Sequence, residues 1–127
     1  MDDQINMKNH GILIMLHCEQ NTGYAIKALE HVFFSASRLA GYSERQIFWS
    51  YNGVQSRNNP RVIHCNYDNP DYQMLSELIS KNNIRQVIAF DLGYPSPVIA
   101  ILKKSGVRNI LSYWGASMST INSGIKL

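Results

Sequence analysis

The chain has 127 residues, of which 45% are hydrophobic and 17% charged, and carries a formal net charge of +3. That length suits one domain with one real core, and so apolar a composition excludes a disordered chain. Lysine and arginine are scattered along the sequence and form no basic stripe with interleaved aromatics, which argues against a nucleic-acid binder; a phosphate-bearing ligand or an anionic membrane surface suits the mild excess.

Cys18 and Cys65 each fall at or just past the end of an apolar run, and no CxxC spacing exists, so no zinc or redox motif is read. A reduced, cytoplasmic setting follows, with membrane association compatible with the charge. No run reaches the ~18 apolar residues of a membrane span. The start, Met1-Asp2-Asp3-Gln4, is acidic and polar, unlike a signal peptide.

Short apolar runs alternate with helical patterns, the order of βαβ units around a parallel sheet. The first run, Gly11-Ile12-Leu13-Ile14-Met15-Leu16, is apolar on both faces, as a central parallel strand is. Polar Asn21-Thr22-Gly23 leads into a helix to about Ala40, with Ala25, Leu29, Val32, Ala36 and Leu39 as its apolar stripe and Gly41 behind it. Ile47-Phe48-Trp49-Ser50-Tyr51 reads as the second strand and Arg61-Val62-Ile63-His64-Cys65 as the third. Asn69-Pro70 reads as the cap and first residue of the next helix. Gln86-Val87-Ile88-Ala89-Phe90 is the fourth strand, ending at Asp91; Ser96-Pro97 opens a helix closed by Gly106. The fifth strand is Asn109 to Trp114, broken by Gly115-Ala116-Ser117. Met118, Ile121 and Ile125 then keep a partial helical spacing without a stop signal, as in a chain cut within an element. The expected fold is a three-layer, Rossmann-like α/β domain over residues 1–127, with five parallel strands in the order 3-2-1-4-5.

In such sheets ligands sit beyond the carboxyl ends of the strands, where helix N-termini converge. Gly23 lets a ligand approach the start of the first helix closely, or is simply a helix-start glycine beside a Thr22 cap. Asp91 is placed to hold a sugar hydroxyl or to cap a turn, and Tyr94 and Trp114 to stack on a sugar ring or to line the rim. Ser117 closes the last of these loops. His17 and His64 read as structural histidines, and His10 and His31 as solvent-side. G-x-G-x-x-G, the P-loop and the G-x-S-x-G elbow are missing from the sequence, and no two-His-plus-acid spacing suggests a metal. No cofactor is expected.

The order of elements, with Asn83-Ile84-Arg85-Gln86-Val87-Ile88, Leu102-Lys103-Lys104-Ser105-Gly106-Val107 and Leu111-Ser112-Tyr113-Trp114-Gly115, resembles the N-terminal domain of the retaining GT-B glycosyltransferases of the large group-4 family. The likeness covers nearly the whole chain through short, mostly structural motifs. It departs at Trp114, where the family often has a donor-contacting histidine, and in the first loop, where the family often has two glycines. The resemblance implies an acceptor-side domain, with the donor nucleotide held mostly by a C-terminal domain that this chain lacks. It implies a nucleotide-sugar donor, a carbohydrate or lipid-linked acceptor, peripheral membrane contact and no nucleic acid. Thr22 and Gly23 then become donor-side residues, and Asp91, Tyr94, Trp114 and Ser117 acceptor-side ones. Alone, the chain is expected to transfer no sugar. The alternative is a stand-alone flavodoxin-like binding or regulatory module.

Overall fold

The computed structural model describes residues 8–18, 23–53, 59–93, 96–114 and 117–120. Strand β1 (Gly11–Met15) is buried along its whole length, between β2 (Ile47–Tyr51) and β4 (Ile84–Phe90), both parallel to it. Strand β3 (Val62–His64) continues the sheet beyond β2, and β5 (Asn109–Trp114) beyond β4, both again parallel. The expected order 3-2-1-4-5 is therefore present. It matches the first five strands of the nucleotide-binding 3-2-1-4-5-6 sheet and differs from the flavodoxin order 2-1-3-4-5.

Alternate residues of β1 feed two cores. Leu13 and Met15 face the helices α2 (Tyr72–Lys81) and α3 (Pro97–Lys104), meeting Leu75, Ile79, Val98 and Leu102. Ile12, Ile14 and Leu16 face α1 (Tyr24–Leu39) and pack with Phe33, Ile47 and Ile88. Each such aliphatic side chain stabilises the fold by about 1.5–3 kcal/mol when fully buried. Three layers result, with one helix on one face of the sheet and two on the other.

Helix α1 lies about a quarter-turn away from the stripe read in the sequence. Its buried residues are Phe33 and Ser37, with Ile26, Leu29 and Phe34 partly covered. Ala25 and Ala36 are exposed, as are Val32 and Leu39. The reason lies in size and polarity. The observed rotation buries the large Phe33 ring edge-on to Tyr113, 5.7 Å between centroids, and brings Glu30 to accept a 2.5 Å hydrogen bond from Tyr51.

Helix α2 starts two residues later than the sequence suggests. The Asn66 carboxamide accepts from the amides of Asp68 and Asn69, forming an Asx turn there. The cap falls to Asp71, whose carboxylate accepts from Met74 N at 3.0 Å, and Pro70 lies outside the helix. Ser96 and Pro97 do open α3 as expected.

The segment after β5 departs from expectation. Ser117–Thr120 is not helical; it forms β6, antiparallel to β5 with Trp114 opposite Ser117. Pairing supplies partners for backbone groups of β5 that an edge strand would leave open, and four residues in a hairpin achieve this where a single helical turn would not. Ile121 and Ile125 lie outside the described residues.

Gly11 is a close approach of strands within the sheet. A Cβ there would lie 3.1 Å from Ile84 Cγ1, 3.2 Å from Asn82 O and 3.3 Å from Gln46 O. Gly11→Val is expected to cost about 1–3 kcal/mol in denaturant unfolding, since two of those neighbours are backbone oxygens. Leu39→Ser, at an 88% exposed position, is expected to change stability by less than about 0.5 kcal/mol. A large loss at Leu39 would restore the stripe read from the sequence.

Candidate functional site at the carboxyl edge

Chain connections leave β1 and β4 toward opposite faces of the sheet: β1 leads to α1, β4 to α3. The gap this opens beyond their carboxyl ends is the switch point where α/β domains hold ligands. Tyr67 forms its floor. The ring is 3% exposed, and its hydroxyl lies 3.1 Å from the Met15 carbonyl of β1 and 2.9 Å from the Phe90 carbonyl of β4. A phenol has one proton, so the two carbonyls share it. Burial above all, then the charges of Cys65, Asp91 and Cys18, pushes the Tyr67 pKa up, so the donor stays protonated. The His17 ring lies on Tyr67 at 4.5 Å between centroids and is half-buried at the mouth.

Gly23 is the N-cap of α1, with φ 130° and ψ −172°, a region open essentially to glycine alone. Among the described residues no side chain caps this end and nothing lies within 4 Å of where a Cβ would be, and the first turn holds no acid. The start of α1 has free amide donors, as any helix N-terminus does. Thr22, read as the cap, lies outside the described residues.

Asp91 follows β4 with φ 64°, a left-handed conformation that aspartate tolerates and most side chains do not. Its amide donates to Tyr113 O at 2.9 Å, while its carboxylate is on an exposed residue. The next residue, Leu92, is buried, and its carbonyl accepts from the buried Ser112 hydroxyl at 2.7 Å. Asp91 is thus held firmly by its backbone and presents a charged group at the crevice. Asn52, after β2, donates its amide to Cys18 O at 2.8 Å, and its buried Oδ1 has no partner among the described residues.

Around Tyr67 the structure brings together His17, which lies on its ring, and Asp91, which follows Phe90, while Gly23 starts α1 on the same carboxyl edge. Trp114 and Ser117 lie one strand away at the β5–β6 turn, and Tyr94 lies outside the described residues. Tyr67 was not singled out by the sequence; its one signal is an aromatic residue inside the polar run Asn66 to Pro70. His64 and His31 are exposed, whereas His10 is not the solvent-side residue expected: it is half-buried, with Nε2 2.8 Å from the Tyr42 hydroxyl.

Chemically the edge is equipped to bind. It offers amide donors at α1, an imidazole and a carboxylate. Burial, then Asp71, pushes the Cys65 thiol up to about 11, which makes it a poor nucleophile at neutral pH. No group of three or more metal-ligating side chains occurs among the described residues.

Tyr67→Phe leaves two buried carbonyls without their donor and is expected to cost about 1–3 kcal/mol. Urea unfolding measures it, and a loss below about 0.5 kcal/mol would show that the phenol ties nothing together. For Cys65 the unfolded thiol ionises near its ordinary value of 9.0, whereas the folded one waits until about 11. Stability therefore falls as pH rises through that window. Cys65→Ser is expected to show a shallower fall over the same range, and an unchanged slope would contradict the assignment.

The structure is a Rossmann-like α/β domain, and no helix among its described residues is long and apolar enough to cross a membrane. Comparison with protein-family models, curated proteins and solved structures found no match to the chain.

Proposed function

We propose that this chain is the acceptor-side domain of a GT-B glycosyltransferase, which moves a sugar from a nucleotide-sugar donor to a carbohydrate or lipid-linked acceptor. The reading rests on the sequence resemblance. The observation that supports it most is that Gly23, at the start of α1, and Asp91, at the end of β4, both stand on the carboxyl edge of the sheet where the connections of β1 and β4 diverge. A donor diphosphate suits the amides at Gly23, with Thr22 beside it, because aligned helix amides favour negative charge. Hydroxyl-rich acceptors suit Asp91, whose carboxylate accepts hydrogen bonds from them, with Trp114 at the end of β5 and Ser117 at the start of β6, and Tyr94 given the same role by the resemblance. In this scheme a second domain brings the donor, and reaction needs both substrates held together.

Gly23 is a poor probe of this role, since φ 130° makes any side chain there a strain of about 1–3 kcal/mol whatever its effect on ligands. Asp91 is the better one. Asp91→Gly suits the left-handed backbone and is expected to leave stability unchanged or raise it by up to about 1 kcal/mol. In an enzyme carrying both domains it is expected to lower kcat/KM for the acceptor at least tenfold, about 1.4 kcal/mol of transition-state binding. The 127-residue chain alone, offered a panel of nucleotide sugars and acceptors, is expected to show no transfer. Turnover by the isolated chain, or an unaltered kcat/KM in Asp91→Gly, would overturn this assignment.

A further inference from the structure

Strand β3 ends the sheet, and its one neighbour among the described strands is β2. Arg61 O accepts from Trp49 N and Cys65 N donates to Tyr51 O, each at 2.8 Å. Residues alternate in direction along a parallel ladder, so Ile63 faces β2 while Val62 and His64 turn their backbone groups outward. Val62 N donates to Asn59 O at 3.1 Å. The Val62 carbonyl and the amide and carbonyl of His64 have no backbone partner among the described residues. Sheet edges are commonly blunted by lysine, proline or a bulge, and β3 holds none of these. Its three residues suffice for one added segment, held by about two or three main-chain bonds.

A cavity opens on each face of the sheet at this edge. On the α2 face it measures about 420 Å3, with Phe48, Ile63 and Leu78 in its apolar lining and Arg45, Arg61 and Lys81 as its cations. Glu77 is the one carboxylate there among the described residues. On the α1 face a second cavity, of about 440 Å3, is lined in part by Trp49, Tyr51 and Val62. The Trp49 and Tyr51 rings lie nearly parallel, 13° between their planes. Ile63 belongs to the core on the α2 face and Val62 packs toward the core on the α1 face. A segment added beside β3 therefore delivers successive side chains to the two cavities in turn, because strand side chains alternate between faces.

Charge selects the occupant. Two copies pairing antiparallel through β3 about a two-fold axis set the same faces of their sheets on the same side. Arg45, Arg61 and Lys81 of each copy then stand beside their equivalents, and like charges oppose that assembly. An acidic segment meets the same cations favourably. Arginine forks suit its carboxylates, and Ile63 with Leu78 suits an apolar side chain set between them. We propose that β3 is a strand-addition site for an extended, acidic segment of a partner protein. The segment pairs its main chain with Val62 and His64 and sets alternate side chains, carboxylate and apolar, against the α2-face cavity. This inference uses none of the residues assigned to the carboxyl-edge crevice and stands independently of the glycosyltransferase reading.

Titration of the 15N-labelled chain with the acetylated, amidated heptapeptide Asp-Thr-Leu-Thr-Asp-Thr-Glu tests it, since the acids and the leucine share one face of that peptide when extended. Saturable binding is expected, with the largest amide shifts at Val62, Ile63 and His64, and none when lysine replaces the acids. Two further peptides carry N-methyl groups, one on its threonines and the other on its leucine and second aspartate. Only one of these sets faces β3, so their affinities are expected to differ by roughly tenfold or more. His64→Pro removes an outward N–H and no bond to β2, and is expected to abolish binding. Arg45→Glu with Arg61→Glu is expected to weaken binding by roughly tenfold or more, and Arg38→Glu with Arg108→Glu, an equal change of net charge, by less than about threefold. Melting curves confirm that each variant is folded, and the methylated peptides need no variant at all. No saturable binding, equal affinity of the two methylated peptides, or equal loss in both charge-reversed pairs would overturn the proposal. So would β3 shifts that follow protein concentration alone, which would make a second copy the occupant.

Discussion

One shared proton ties the two halves of this domain together at their point of divergence. β1 and β4 are hydrogen-bonded neighbours whose connections leave for opposite faces of the sheet. The Tyr67 hydroxyl, reaching Met15 O and Phe90 O, bridges the two strands with a group that burial keeps protonated. It satisfies carbonyls that would otherwise face an apolar wall, and its ring gives His17 a surface to rest on. Gly23 and Asp91 stand on the same carboxyl edge of the sheet as this bridge.

Both residues hold backbone conformations that ordinary side chains avoid, φ 130° and φ 64°. Such conformations persist where surrounding structure over-determines them, and they cluster at sites of binding. Here the surroundings are visible: the Asp91 amide bonds Tyr113 O, and Leu92 is buried beneath it. The same fold that gathers helix starts and carboxylates at this edge gathers helix ends and cations at the other. Most cations among the described residues lie at that amino pole because strands begin and helices end there.

The layering was legible because its signal is carried by large side chains in unbroken runs. Ile12, Leu13 and Ile14 could lie nowhere but between two covered faces, and the extents of β2 and β5 follow their apolar stretches. Periodicity served less well in α1. Alanine, valine and leucine at Ala25, Val32 and Leu39 count as apolar in a pattern, but the sheet selects for volume, and Phe33 outweighs them. The α2 cap was misplaced because Asn69 and Asp71 are both competent caps, and the choice depended on Asn66 taking the amides of Asp68 and Asn69. β6 was invisible because its signal is a partner strand, not a pattern.

At the candidate site, Gly23 and Asp91 are candidates by their places after strands, and Tyr67 escapes such a reading because its role is long-range, joining strands 52 and 23 residues away in sequence. The polar sorting of charge was hidden for a related reason: cations spread over a hundred residues converge only once the topology is known. Both omissions are properties of the folded arrangement and not of any local stretch.

The central claim, that the switch point between β1 and β4 is where this domain meets its ligand, is tested most directly by amide NMR of the 15N-labelled chain titrated with uridine diphosphate and guanosine diphosphate. The account predicts saturable shifts centred on Gly23, His17 and Asp91, with the amides at the amino pole unmoved. Shifts centred on Lys8, Arg85 and Arg108, or no saturable change at the carboxyl edge, would contradict it.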